Sequence, residues 1–127
     1  METLPIINRA YDVFKLVIDI TAHTEKRWRY SLGTSLEESV LNCLSELVMA
    51  KNAPKPMKAA YLLKASGYNE VAVLKLRLFL ELKIANETKI FQTQSALMEV
   101  GRMLGGWIKS LNSLANSTST FTAGRTP

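Results

Sequence analysis

Leu97, Val100, Leu104, Trp107, Leu111 and Leu114 are separated by 3, 4, 3, 4 and 3 residues, the seam of a helix packed lengthwise against others. Such a seam commits this part of the chain to helix-on-helix packing. Three glycines, Gly101, Gly105 and Gly106, interrupt it, and each costs a helix about 1 kcal/mol relative to alanine. The spacing predicts that they serve packing, because Gly101 and Gly105 lie four apart on one stripe, where missing side chains let a neighbouring backbone approach closely. Gly105→Leu is then expected to force helices apart.

The remaining segments repeat the theme. Over about 5–24, Ile7, Ala10, Phe14, Val17 and Thr21 form one stripe and Ile6, Val13, Leu16 and Ile20 a second, so this helix needs partners on two sides. Over 34–52, Leu36, Val40, Cys43, Leu47 and Ala50 face one way. Thr34-x-x-Glu37 and Ser35-x-x-Glu38 both read as capping boxes that start this helix, and Pro54 and Pro56 end it. The segment from Leu74 to Ile84 alternates apolar and other residues as a strand would. Leucine and lysine favour helix, however, and β-branched residues are nearly absent, so a helix over about 57–86 is predicted, apolar nearly all round and in need of burial by its own bundle and by something outside it. On it Arg77 and Glu81 stand one turn apart as an ion pair. A fourth helix covers about 91–115. Residues 1–111 thus make an all-α, antiparallel up-down four-helix bundle, and residues 112–127, rich in Ser, Thr and Asn, read as a mostly disordered tail.

The residue inventory narrows the chemistry. With 127 residues the chain makes one domain. His23 is the only histidine and Cys43 the only cysteine, so neither a two-histidine metal site nor a Cys–His pair is available, and Cys43 on its apolar stripe reads as a buried structural thiol. The carboxylates do not cluster: Glu37 and Glu38 belong to the capping signal and Glu46, Glu70, Glu81 and Glu99 are separated singles, and the glycines around Gly105 lack the spacing of a phosphate loop. No catalytic residue, metal or other cofactor is assigned. No apolar run is long enough for a membrane span, and Met1–Pro5 does not open a signal peptide, so a cytoplasmic location is expected.

A net charge of +5 favours anionic partners. Lys26-Arg27-Trp28-Arg29-Tyr30, in the connection between the first two helices, interleaves three cations with two aromatics, a mix that suits phosphate contact and base stacking; it equally suits an exposed connection whose aromatics close the end of the bundle. Lys51, Lys55, Lys58 and Lys64 follow with no acidic residue before Asn69, as a binding patch or a solvated face. Arg102 and Lys109 lie seven apart on one face of the fourth helix.

Three stretches carry a resemblance: Arg29-Tyr30-Ser31-Leu32-Gly33, Leu76-Arg77-Leu78 with Glu81-Leu82-Lys83, and Glu99-Val100-Gly101-Arg102-Met103-Leu104-Gly105-Gly106-Trp107-Ile108. Over about Tyr11 to Lys109 the chain resembles the accessory variability determinant (Avd) proteins of diversity-generating retroelements. The last motif is the specific one; the others also suit the wider group of four-helix-bundle proteins encoded in ribosomal RNA intervening sequences. The resemblance implies a homo-oligomeric, pentameric barrel with a basic surface that binds the element's reverse transcriptase and its template RNA or cDNA, supporting error-prone cDNA synthesis without catalysis of its own. By position, Arg77 matches an arginine of the family's basic surface and Arg102 the arginine of the fourth-helix motif, whereas Glu81 stands where some members carry a second cation. The expected polymerase or nucleic-acid contacts are Lys26, Arg27, Arg29, Lys55, Lys58, Lys75, Arg77, Arg102 and Lys109; helix packing and assembly fall to Leu78, Gly101, Gly105 and Trp107. A basic nucleic-acid-binding bundle of the intervening-sequence type, unconnected with reverse transcription, is the alternative.

Overall fold

Pro5 occupies the first turn of α1 (Pro5–Ala22), where its missing N–H would have had no helical partner. Three more long helices follow: α2 (Thr34–Asn52), α3 (Lys55–Leu82) and α4 (Glu87–Ala123). The computed structural model describes the backbone of residues 4–123 and the side chains of residues 4–113. α1 packs on α2 and α4, and α3 likewise packs on α2 and α4. Each helix thus contributes to one core, in which Leu36, Leu47, Leu62, Leu76, Phe79 and Leu104 are almost completely enclosed. Among the described residues there is no strand, and no helix is long and apolar enough to cross a membrane.

The predicted seams become the buried faces. Leu36, Val40, Cys43, Leu47 and Ala50 of α2 are all buried, and α1 buries residues of both its stripes. The alternating segment is helical through Leu82, with Leu76 and Phe79 inside while Leu74, Leu78 and Leu82 face outward. On α4, Leu97, Val100 and Leu104 are buried and Trp107 and Leu111 pack against the core from its edge; the Leu114 side chain lies outside the described residues.

The helix boundaries depart from expectation in three places. No capping box forms at Thr34 or Ser35, because the helix does not start there: a helical turn at Lys26–Trp28 runs through a π-helical stretch at Arg29–Gly33 directly into α2. Thr34 Oγ1 donates instead to the Arg29 carbonyl at 3.2 Å, and Glu37 Oε1 accepts from Thr21 Oγ1 of α1 at 3.0 Å. Second, α3 stops at Leu82 rather than residue 86, since Lys83 adopts the left-handed conformation at φ 57°, ψ 41°. This lets α4 begin at Glu87 rather than residue 91, with Asn86 Oδ1 accepting from the Lys89 N–H at 3.0 Å as its cap. Third, α4 continues past residue 115 to Ala123, because no glycine or proline follows Gly106 until Gly124 and an established helix extends at one bond per residue. The expected tail over 112–127 is thus helical in backbone as far as Ala123, while side chains beyond residue 113 and residues beyond 123 lie outside the described residues.

Candidate nucleic-acid interface

The aromatic-cation segment is a helix start, not a loose connection. Glu25, in extended conformation, supplies the carbonyl that accepts from the Trp28 and Arg29 N–H groups, both at 2.9 Å. The π-helical stretch that follows loosens the regular backbone ladder, and side chains occupy the freed carbonyls. Ser31 Oγ lies 3.2 Å from the Arg27 carbonyl and 3.3 Å from that of Trp28. Arg29 turns inward, its Nη2 donating to the Ala22 and Thr24 carbonyls at 3.2 and 3.0 Å. Those are carbonyls at the end of α1 and just beyond it, so Arg29 ties the new helix to the one it leaves. Its Nε is buried and has no hydrogen-bond partner. Lys26, Arg27 and Tyr30 are left exposed on one side, Tyr30 at 69%, with the Arg27 guanidinium 4.6 Å from the centre of the Trp28 ring.

The other expected contact residues divide in the same way. Lys58 Nζ donates to the Ala50 and Lys51 carbonyls at 2.8 and 3.0 Å, closing the end of α2. Lys75 Nζ donates to the Ser35 carbonyl at 2.9 Å and to Ser39 Oγ at 2.7 Å, joining α3 to α2. Arg29, Lys58 and Lys75 therefore hold the fold together with the groups expected to face a partner, Arg29 and Lys58 drawn to carbonyls at helix C-terminal ends and Lys75 to a carbonyl and a hydroxyl in the first turns of α2. Arg77 is exposed and paired with Glu81 at 3.0 Å, as the spacing predicted, a contact of small energy at such exposure. Lys55 is exposed at the start of α3, and Arg102 and Lys109 are exposed on α4. Among the described residues, Lys26, Lys55, Arg102 and Lys109 make no hydrogen bond or ion pair.

The packing residues are also sorted by the structure. Gly101 does face a neighbour: a Cβ there would stand 3.3 Å from Asn69 Nδ2. Gly105 does not, since it is exposed and a Cβ would meet nothing within 4 Å; the stripe is a single close approach within the chain, and Gly105→Leu displaces no helix of this chain. Trp107 packs on the core edge and Leu78 is 37% exposed.

Asn69 is a site residue that the spacing of α3 marks. Leu62, Ala65, Asn69, Ala72, Leu76 and Phe79 follow the same 3-4-3-4-3 spacing and are all buried, so a polar residue stands on the α3 seam. Its Nδ2 donates to the Leu97 carbonyl of α4 at 3.2 Å while its Oδ1 is buried without a protein partner. A cavity of about 10 Å³ adjoins it, lined also by Val13 of α1, Cys43 of α2 and Val100 of α4. Burial pushes the Cys43 thiol up to about 12, with the Glu46 charge adding to the effect.

The fold defines a class, that of all-helical proteins in which four long helices share one core. Beyond that class, no family model matches the chain and no curated protein is similar to it.

Proposed function

We propose that the chain is a non-catalytic, cytoplasmic accessory protein of a diversity-generating retroelement, assembling as a pentameric barrel of antiparallel four-helix bundles that binds the element's reverse transcriptase and its template RNA or cDNA through a basic surface. The observation that carries this reading is the Glu99–Ile108 segment. Its resemblance to the Avd motif coincides with a division of labour along α4, Val100 and Leu104 turning into the core while Arg102, and Lys109 just beyond, turn outward. Assembly is supported by exposed apolar side chains on α3, among them Leu63, Val71 and Leu74, and by Phe91 and Met98 on α4, which a partner copy would cover.

The test is to look for a reverse transcriptase gene with template and variable repeats beside this one, and then to co-express the two for affinity capture and light scattering. The parent is expected to capture the polymerase and its RNA as a defined oligomer, and the Arg102→Ala, Lys109→Ala double variant to keep its helicity and lose the capture. A monomer that retains no polymerase overturns the proposal. Binding of ribosomal RNA without polymerase would instead place the chain with the intervening-sequence proteins.

A further inference from the structure

Tyr11 and Tyr30 both stand exposed near a cation, and their surroundings differ. Tyr11, 55% exposed, has Lys15 Nζ 5.2 Å from its ring centre, but Lys15 is paired with Asp12 at 3.4 Å. Tyr30, at 69% the most exposed of the large apolar side chains among the described residues, follows Lys26 by four residues and Arg27 by three. At that helical spacing all three share a face. Neither Lys26 nor Arg27 has a carboxylate partner among the described residues. The local charge is therefore available to an anion, and the ring to a flat apolar group.

The backbone beneath them is fixed from several directions. Arg29 Nη2 holds the Ala22 and Thr24 carbonyls, Ser31 Oγ sits on the Arg27 and Trp28 carbonyls, and Thr34 Oγ1 bonds the Arg29 carbonyl. Gly33 is buried at the far end of the stretch against Thr21 of α1. An aromatic ring presented on a braced element loses little conformational freedom when a ligand covers it.

We propose that Tyr30, with Lys26 and Arg27, is a stacking site for single-stranded nucleic acid, the Tyr30 ring receiving one unpaired base and the two cations its flanking phosphates. In this arrangement Arg29 is a positioning residue that never touches the ligand. A duplex hides its base faces in its own stack, whereas every unpaired base offers one, so the site selects for strand state and tolerates any sequence. The inference rests on the nucleic-acid binding proposed above and assigns it a place and a preferred form.

Fluorescence anisotropy of the full chain with a labelled mixed-sequence single-stranded RNA, the same sequence as single-stranded DNA, and its duplex tests this. Tyr30→Phe is expected to keep the parent affinity for both single strands, and Tyr30→Ala to weaken it about tenfold with unchanged helicity and unchanged duplex binding. Tyr11→Ala is expected to change nothing. Lys26→Ala and Arg27→Ala should each weaken binding and make its salt dependence shallower. If the parent binds single strands and Tyr30→Ala binds them equally well, the stacking site is overturned while the proposed function stands. Equal losses on duplex and single strands, or loss of polymerase capture with nucleic-acid binding intact, overturn it as well. A parent that binds no nucleic acid at low salt removes both proposals.

Discussion

A Cβ on Gly101 would stand 3.3 Å from Asn69 Nδ2, and the amide could give way only by straining its hydrogen bond to the Leu97 carbonyl. Gly101→Ala is therefore expected to lower stability by about 1 kcal/mol, crowding outweighing the gain in helix propensity. Gly105→Ala should raise it by about 1 kcal/mol, the Cβ meeting open space. Thermal denaturation followed by circular dichroism gives both signs, and adding Asn69→Ala should turn the Gly101→Ala effect favourable. Cys43 is the second residue whose surroundings decide its chemistry. Its thiol pKa rises from 9.0 to about 12 in the folded chain, so between those values the native state holds a proton that the unfolded state has released. Stability accordingly falls as pH climbs through that window. At pH 8 an aromatic disulfide reagent should leave the native thiol untouched and label it at once in denaturant.

Among the elements, the turn between α3 and α4 shows why some boundaries can be read and others cannot. Lys83 sits at φ 57°, a conformation that favours glycine, so nothing at that position announces the end of a helix. Lys83→Gly should stabilise the chain by about 1 kcal/mol, measured as a higher urea midpoint with an unchanged slope. The start of α4 was legible: Asn86 ahead of Glu87 is a good cap with an acidic first turn, and the apolar seam drew attention downstream of it. Thr34 is the opposite case, a well-formed capping pattern inside a continuing helix, with Glu37 answering to Thr21 on another element. Local signals cannot report such a partner. The seams themselves were readable because burial follows directly from spacing. Which cations face outward was not, since that depends on where carbonyl ends fall after folding. Lys75 is the clearest case: Lys75→Ala should cost about 1.5–3 kcal/mol by removing the charged hydrogen bonds to the Ser35 carbonyl and Ser39 Oγ that join α3 to α2. The urea midpoint checks it, and a surface lysine would show almost no change.

For the whole molecule, a net charge of +5 divides into cations that fasten helices and cations that face water. Arg9 meets Glu99 at 2.8 Å and Lys89 meets Asp19 at 2.7 Å, joining both ends of α1 to α4. Lys89 also holds the Asp19 carboxyl below its usual range, so this tie persists above that range and loosens as pH falls through the lowered value. The outward set includes Lys26, Arg27, Lys55, Arg102 and Lys109. If three of these meet phosphates of a single strand, the logarithm of the binding constant should fall against the logarithm of salt concentration with a slope of about −2. A flat profile in an anisotropy titration would exclude a phosphate-based interface.

The π-helical stretch at Arg29–Gly33 acts as a phase setter. A helix turns by about 100° with each residue, so deleting one position there would restore an unbroken α-helix from Lys26 to Asn52 while swinging Lys26, Arg27 and Trp28 about a quarter-turn round the axis. The core seam of α2 would stay where it is. The aim of the surface at the end of the molecule is thus set by one inserted residue, and re-aiming it would break the ties of Arg29 to the end of α1 while leaving the α2 seam from Leu36 onward in place.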